Sequence, residues 1–251
     1  MNNLKKIPFI LTIISFLTFF TTANSEIKVV ASIKPIHSLA SYLMDGIAKP
    51  DLIVDGYASP HGFAMKPSHA KMLQNADLIF WVGEDIESFL EKPLNSIAKR
   101  AEKIELMDIK GLNVLEFRER NIFDDHDDHD HDGHAKKKKD DHDDHDGHAK
   151  KKKDEHDDHD DHEGHAHGEY DPHIWLDPIN AKVILKEMTE HLIENDSKNA
   201  STYKSNLDKA LKDIDKLTMD VMTELNQSVA SIVFHDAYQY FEERFNVNIL
   251  G

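Results

Sequence analysis

Between Glu26 and Asn121 the hydrophobic positions alternate between two patterns: short continuous apolar runs, and apolar residues spaced by threes and fours. The run IKVVASI (Ile27–Ile33) has the length and β-branching of a buried strand. KPIHSLASYLMDG follows, with Ile36, Leu39, Leu43 and Met44 on one helical face that ends near Gly46. DLIVDG predicts a second strand, LIFWVG a third stopped by Gly83, and KIELMD a short fourth. Between them, KPSHAKMLQNA opens a helix with Pro67 in its first turn, where the missing N–H does no harm. ESFLEKPLNSIAKR predicts a helix interrupted at Pro93. Strand and helix in alternation imply an α/β fold with a parallel sheet covered on both faces.

From Asp124 this periodicity stops. DDHDDHDHDGHAKKKK, DDHDDHDGHAKKKK and DEHDDHDDHEGHAHG are three imperfect copies of one unit with almost no apolar residue. Such a segment cannot offset its ordering entropy by burial, so residues 124–168 are expected to be a disordered insertion. Apolar spacing returns after Tyr170. Asp177-Pro178 supplies a cap and a first-turn proline for an amphipathic helix over Ala181–Ile193. Ser197–Asn226 then carries Tyr203, Leu207, Leu211, Ile214, Leu217, Val221 and Leu225 at helical spacing. At roughly 1.5 Å per residue this helix spans about 40 Å, enough to run between two lobes. SIVFHDAYQYFEERF predicts a strand, a turn at His235-Asp236 and a helix, and NVNIL begins another strand. The expected organisation is a first lobe over 26–123 and 169–196, a linker helix over 197–227, and the start of a second lobe over 228–251. One strand, one helix and a fragment cannot close a lobe by themselves, so the second lobe is expected to be incomplete.

Composition sharpens this picture. The formal charge of −17 argues against nucleic acid, whose phosphates would repel it. Eighteen Asp and Glu against eight Lys lie between Asp124 and His167, so most of that charge sits in the repeats. At the N-terminus, Lys5 and Lys6 precede an apolar run from Ile7 to Phe20 and the small residues Ala23-Asn24-Ser25. That is the form of a cleaved signal peptide over residues 1–25, because the run falls short of the about 20 apolar residues a permanent span needs. The chain holds no cysteine, so disulfides and a lipid-anchored cysteine are excluded, and a metal site must draw on His, Asp or Glu. The expected product is soluble and periplasmic.

Three of the six histidines outside the repeats lie where strands end and loops converge: His61 in YASPH, His173 in DPHIWLDP, and His235 after SIVF. In parallel α/β proteins ligands bind beyond the carboxyl ends of strands. His173 could be the last histidine of the repeats, but Ile174, Trp175 and Leu176 anchor it beside a core. His61 could be a turn residue and His235 a core histidine at a strand end. His37 and His69, early in helical stretches, read as structural, and His191 as a charge partner for a helix dipole. No HExxH helix, P-loop or nucleophile motif is present, so no enzyme is expected and a zinc hydrolase is only a formal alternative.

YASPHGFAMKPSHAKMLQNADLIFWVGEDIESFL, DPHIWLDP and VFHDAYQYFEERFNV together resemble the zinc-specific periplasmic substrate-binding proteins of bacterial ABC transporters, including the binding component of the high-affinity zinc uptake system. The likeness runs from Ile27 to the last residue. It implies two α/β lobes with parallel sheets joined by a long helix, with the metal in the cleft between them. It also implies His61, His173 and His235 as ligands of a Zn²⁺ that is cargo, delivered to an inner-membrane ABC permease and its ATPase. An Asp/His-rich insertion is typical of the zinc members. Its HxxH spacing, as at His126 and His129, points to weak auxiliary zinc capture, with a solvated acidic linker as the plain alternative. A monomer is expected. Imidazole donors suit zinc better than manganese, which prefers oxygen. Family members continue past the point matching Leu250-Gly251, which makes a truncated zinc buffer without a transport role one alternative; a manganese receptor of the same family is another.

Overall fold

The computed structural model describes residues 26–118 and 169–250. The expected leader and the His/Asp repeats lie outside the described residues. Among those described, no helix is long and apolar enough to cross a membrane.

The first sheet is parallel throughout, in the order β2-β1-β3-β4, from β1 (Val29–Ala31), β2 (Asp51–Leu52), β3 (Leu78–Trp81) and β4 (Glu102–Glu105). The central strands β1 and β3 are buried at every residue, which is why their sequences are unbroken apolar runs rather than alternations. The edge strand β4 (EKIE) is only part-covered and correspondingly mixed. Connections α1 (Lys34–Leu43), α2 (Pro67–Asn75) and α3 (Glu84–Ser96) join these strands in turn. The step from β1 to β2 runs one way across the sheet, and the steps to β3 and β4 run the other. Right-handed crossovers therefore place α1 on one face and α2 and α3 on the opposite one. α4 (Pro178–Asn195) and the 25-residue α5 (Ala200–Glu224) pack with α1, completing a two-faced α/β lobe.

Beyond α5, β5 (Ala230–Ile232), α6 (Gln239–Phe245) and β6 (Asn248–Leu250) form a separate two-stranded parallel sheet with one helix. α6 ends at Asn246, whose left-handed backbone (φ 50) turns the chain into β6. Along α5, Tyr203 and Ala210 are buried, whereas Leu217, Met219 and Met222 are exposed further on.

Two local expectations are corrected. DLIVDG pairs as a strand only at Asp51–Leu52, although Ile53 N and Val54 N still donate to Ala31 O and Ser32 O at 3.1 and 2.8 Å. The ladder stops there because its partner β1 ends at Ala31, opposite Leu52. The helix over 84–96 runs through Pro93 instead of breaking there, and its non-helical residue is Glu87 (φ −127, ψ 41). Fully buried Glu87 turns back so that its Oε2 accepts hydrogen bonds from Val82 N (2.7 Å) and Gly83 N (3.3 Å). Those donors are otherwise orphans at the end of β3, and satisfying them outweighs one turn of regular helix.

Candidate metal centre

His61, His173 and His235 come together. His61 lies in the loop between β2 and α2, in a turn closed by Gly62 N donating to Pro60 O at 2.9 Å. His173 opens the short 3₁₀ turn Ile174–Leu176 that leads into α4, and His235 lies in the turn between β5 and α6. Ile33 and Pro35 after β1, Val54 after β2 and Ile86 in α3 line the same cavity of about 340 Å³ as the three imidazoles. The cluster thus stands at the carboxyl ends of β1, β2 and β3, where the direction of strand succession reverses.

The donor nitrogens of the three histidines all lie within 4.8 Å of one another. His173 Nε2 and His235 Nε2 are 3.3 Å apart. Two nitrogens on a tetrahedral zinc with Zn–N of about 2.05 Å would be about 3.4 Å apart, so this spacing is that of neighbouring ligands on one ion. The ring centroids of His61 and His235, and of His173 and His235, are 5.2 Å apart, with the rings edge to face.

Each imidazole is prepared differently. Buried His173 has its Nδ1 2.7 Å from Asp171 Oδ1, and the same oxygen accepts from its backbone N–H at 2.9 Å. A proton held on Nδ1 by that carboxylate leaves the Nε2 lone pair facing the other two histidines, the arrangement of a carboxylate-oriented metal ligand. Burial lowers the pKa of His235 below its ordinary value, and neighbouring His173 adds to the shift, which favours the neutral, ligating form. Asp85 and Asp236 are the carboxylates lining a small adjoining cavity of about 50 Å³.

Two bidentate arginine–carboxylate pairs flank the cluster. Arg118 donates through Nε and Nη2 to Asp236 at 2.9 and 2.5 Å and also pairs with Glu242. Arg244 donates to both oxygens of buried Asp177 at 2.8 and 2.6 Å, while Asp177 caps α4 by accepting from Ile179 N. Between them, Tyr240 Oη donates to Asp171 O (2.7 Å) and accepts from Leu115 N (3.1 Å). The small second unit is thereby fastened to the first by two ion pairs and a tyrosine.

The residues missed by the sequence reading are Asp171, Arg118, Tyr240 and Arg244. Asp171 carried a local signal, since an Asp two residues before His173 is placed for a side-chain turn onto that residue's N–H. The others act on partners 67 to 125 residues away, which no local pattern reveals. Of the remaining histidines, His69 Nδ1 faces Lys66 N (3.1 Å) at the start of α2, and His37 Nε2 faces Pro50 O (3.0 Å). The dipole reading of His191 is corrected. It lies before the last turn of α4, which holds no basic residue, and meets carboxylates instead.

Asp171→Asn keeps the turn-forming acceptor but removes the negative charge that faces Nδ1. It is expected to weaken zinc binding about 10- to 100-fold. A competition titration against a chromophoric chelator measures this, with the far-UV spectrum unchanged.

A parallel α/β lobe, a second α/β unit clamped to it and three imidazoles converging between them define a metal-binding solute receptor. The chain belongs to the family of periplasmic A components of zinc-uptake complexes (ZnuA), whose profile matches residues 29–251. It is 43% identical over 232 residues to the high-affinity zinc uptake system protein ZnuA of Brucella abortus (strain 2308), covering 91% of this chain and 68% of that protein. Against the protein of the same name from Yersinia pestis it is 33% identical, covering 89% of this chain and 64% of the relative. The chain thus spans about two thirds of the length of these relatives. A crystal structure of a ZnuA shares the fold at a TM-score of 0.65 and 19% identity, over 90% of this chain and 70% of that one. The zinc-bound ZnuA-like domain of Streptococcus pneumoniae AdcA does so at 0.60 and 15%, over 90% and 66%.

Proposed function

We propose that this chain is a periplasmic receptor that captures Zn²⁺ with His61, His173 and His235 and hands it to an inner-membrane ABC permease driven by an ATPase. The observation that carries the reading is the 3.3 Å approach of His173 Nε2 to His235 Nε2 within a three-nitrogen cluster. An all-imidazole donor set favours zinc over manganese, which takes oxygen ligands. Residues 26–123 with 169–196 form the first lobe in this reading, 197–227 the linker helix and 228–251 part of the second lobe. The segment 124–168 is auxiliary, its histidines taking up zinc weakly and at many points. The protein binds and releases its ion and catalyses nothing.

The test is a zinc titration against a chromophoric chelator with manganese in large excess. One tight zinc equivalent that manganese does not displace is expected. A manganese-saturable site would instead assign the chain to manganese, and weak binding alone would reduce it to a zinc buffer. Deleting residues 124–167 is expected to leave the tight equivalent in place while slowing its filling at limiting zinc, as stopped-flow mixing would record. Filling at an unchanged rate would refute the feeding role. Because the ligands must be deprotonated imidazoles, affinity should fall as the solution is acidified.

A further inference from the structure

We propose that Glu102, His191 and Glu194 form a second zinc site, separate from the three-imidazole centre and at the other end of the first sheet. Glu102 is the first residue of edge strand β4, whereas the three histidines stand beyond the carboxyl ends of its parallel neighbours. One donor atom from each of Glu102, His191 and Glu194 can be chosen so that all lie within 4.8 Å of one another.

The histidine is set between carboxylates on both sides of its ring. Nδ1 faces Glu102 Oε1 at 2.8 Å and Glu194 Oε2 at 3.8 Å, while Nε2 faces Glu187 Oε1 at 3.4 Å. Nδ1 is shielded from solvent, and despite the close Glu102 oxygen it has no oriented hydrogen bond. A proton on Nδ1 would therefore be poorly directed, and a lone pair there would face two anionic oxygens across a short gap. A divalent cation on the Nδ1 side removes both difficulties, because it is bound by the lone pair and by both carboxylates. Glu187 then holds the proton on Nε2, the carboxylate–histidine–metal relay that fixes a ligand's tautomer. Glu102 is oriented from its other oxygen, where Asn195 Nδ2 donates to Oε2 at 2.6 Å. Asn195 is itself tied back to His191 O at 2.9 Å, so strand and helix share one hydrogen-bonded frame. One imidazole and two carboxylates is a zinc donor set with a position left for water. Glu194 is exposed, so the site exchanges ions with solvent and does not enclose them.

The test is anomalous diffraction from crystals of the full chain soaked in zinc chloride, recorded on both sides of the zinc absorption edge. A peak about 2.0–2.2 Å from His191 Nδ1 and from the two carboxylates is expected. His191→Ala should remove it, and so should Glu194→Gln, an exposed change that leaves the fold intact. His173→Ala should remove only the peak at the three-imidazole centre. No density at Glu102 and His191 would overturn the second site, whether or not the centre is filled. A peak there that persisted in His191→Ala would overturn it as well. Loss of the centre's peak alone would count against the proposed receptor function and leave this site standing.

Discussion

Replacing His173 by alanine should lower the affinity of the tight zinc equivalent by at least about 100-fold, more than loss of any residue that merely orients a ligand. His173 is the most buried of the three imidazoles, and it is held by a buried carboxylate. Its removal takes one nitrogen from the ion and leaves Asp171, 2% exposed, without the group its side chain faces. His235 also loses the neighbour whose Nε2 lies 3.3 Å away. The two remaining histidines leave two of the four tetrahedral positions to water or an acid, where the intact set leaves one. The measurement is the chelator competition with wild type and variant side by side. An unchanged tight equivalent would show that His173 is structural and that the ion binds elsewhere, with the repeats the first place to look.

Glu87→Gln should change how stability depends on pH. Burial pushes the Glu87 carboxyl up from its ordinary 4.5 to about 7, against the opposing pull of the Val82 and Gly83 N–H groups. The folded state therefore holds this proton more tightly than the unfolded chain does. Its contribution to stability is fully present below about pH 4.5, declines as pH rises towards 7, and is lost above that. A difference of that size corresponds to roughly 3 kcal/mol. Glutamine keeps an oxygen for the two N–H donors and has nothing to ionise, so the variant should gain relative to wild type between pH 5 and 8. Urea unfolding of both proteins across that range, with metal chelated, isolates the effect because all other titrating groups are shared. Parallel pH profiles would show that Glu87 ionises normally in the fold.

The order of strands and helices was readable because the first lobe is built from segments whose burial is nearly uniform. β1 and β3 are apolar at every position because both sheet faces are covered, and α1 shows the stripe of a helix with one buried side. Reading failed where a non-local hydrogen bond overrides local preference. Pro93 has the strongest breaking tendency in α3, yet the backbone departs at Glu87, whose carboxylate is claimed by the end of β3. Likewise the strand potential of Ile53 and Val54 is cut short because the partner strand β1 ends at Ala31, opposite Leu52. At the centre, loop position and motif context singled out His61, His173 and His235 from eighteen histidines. What fastens them was invisible, since Arg118 and Asp236, or Arg244 and Asp177, become partners only once the second unit is placed. His191 was misread for the related reason that Glu102 reaches it from an adjacent strand.

The two arginine clamps have a kinetic meaning. None of their atoms is a donor in the three-imidazole set, yet both must open before the second unit can swing away from the first. In the proposed receptor the side chains that set how readily the ion escapes are therefore not the ones that bind it. Substitutions at Arg118 or Arg244 would act on dissociation rate, and those at the histidines on the bond itself. A membrane partner that competed for both guanidiniums would unload the proposed receptor without touching any of the three histidines.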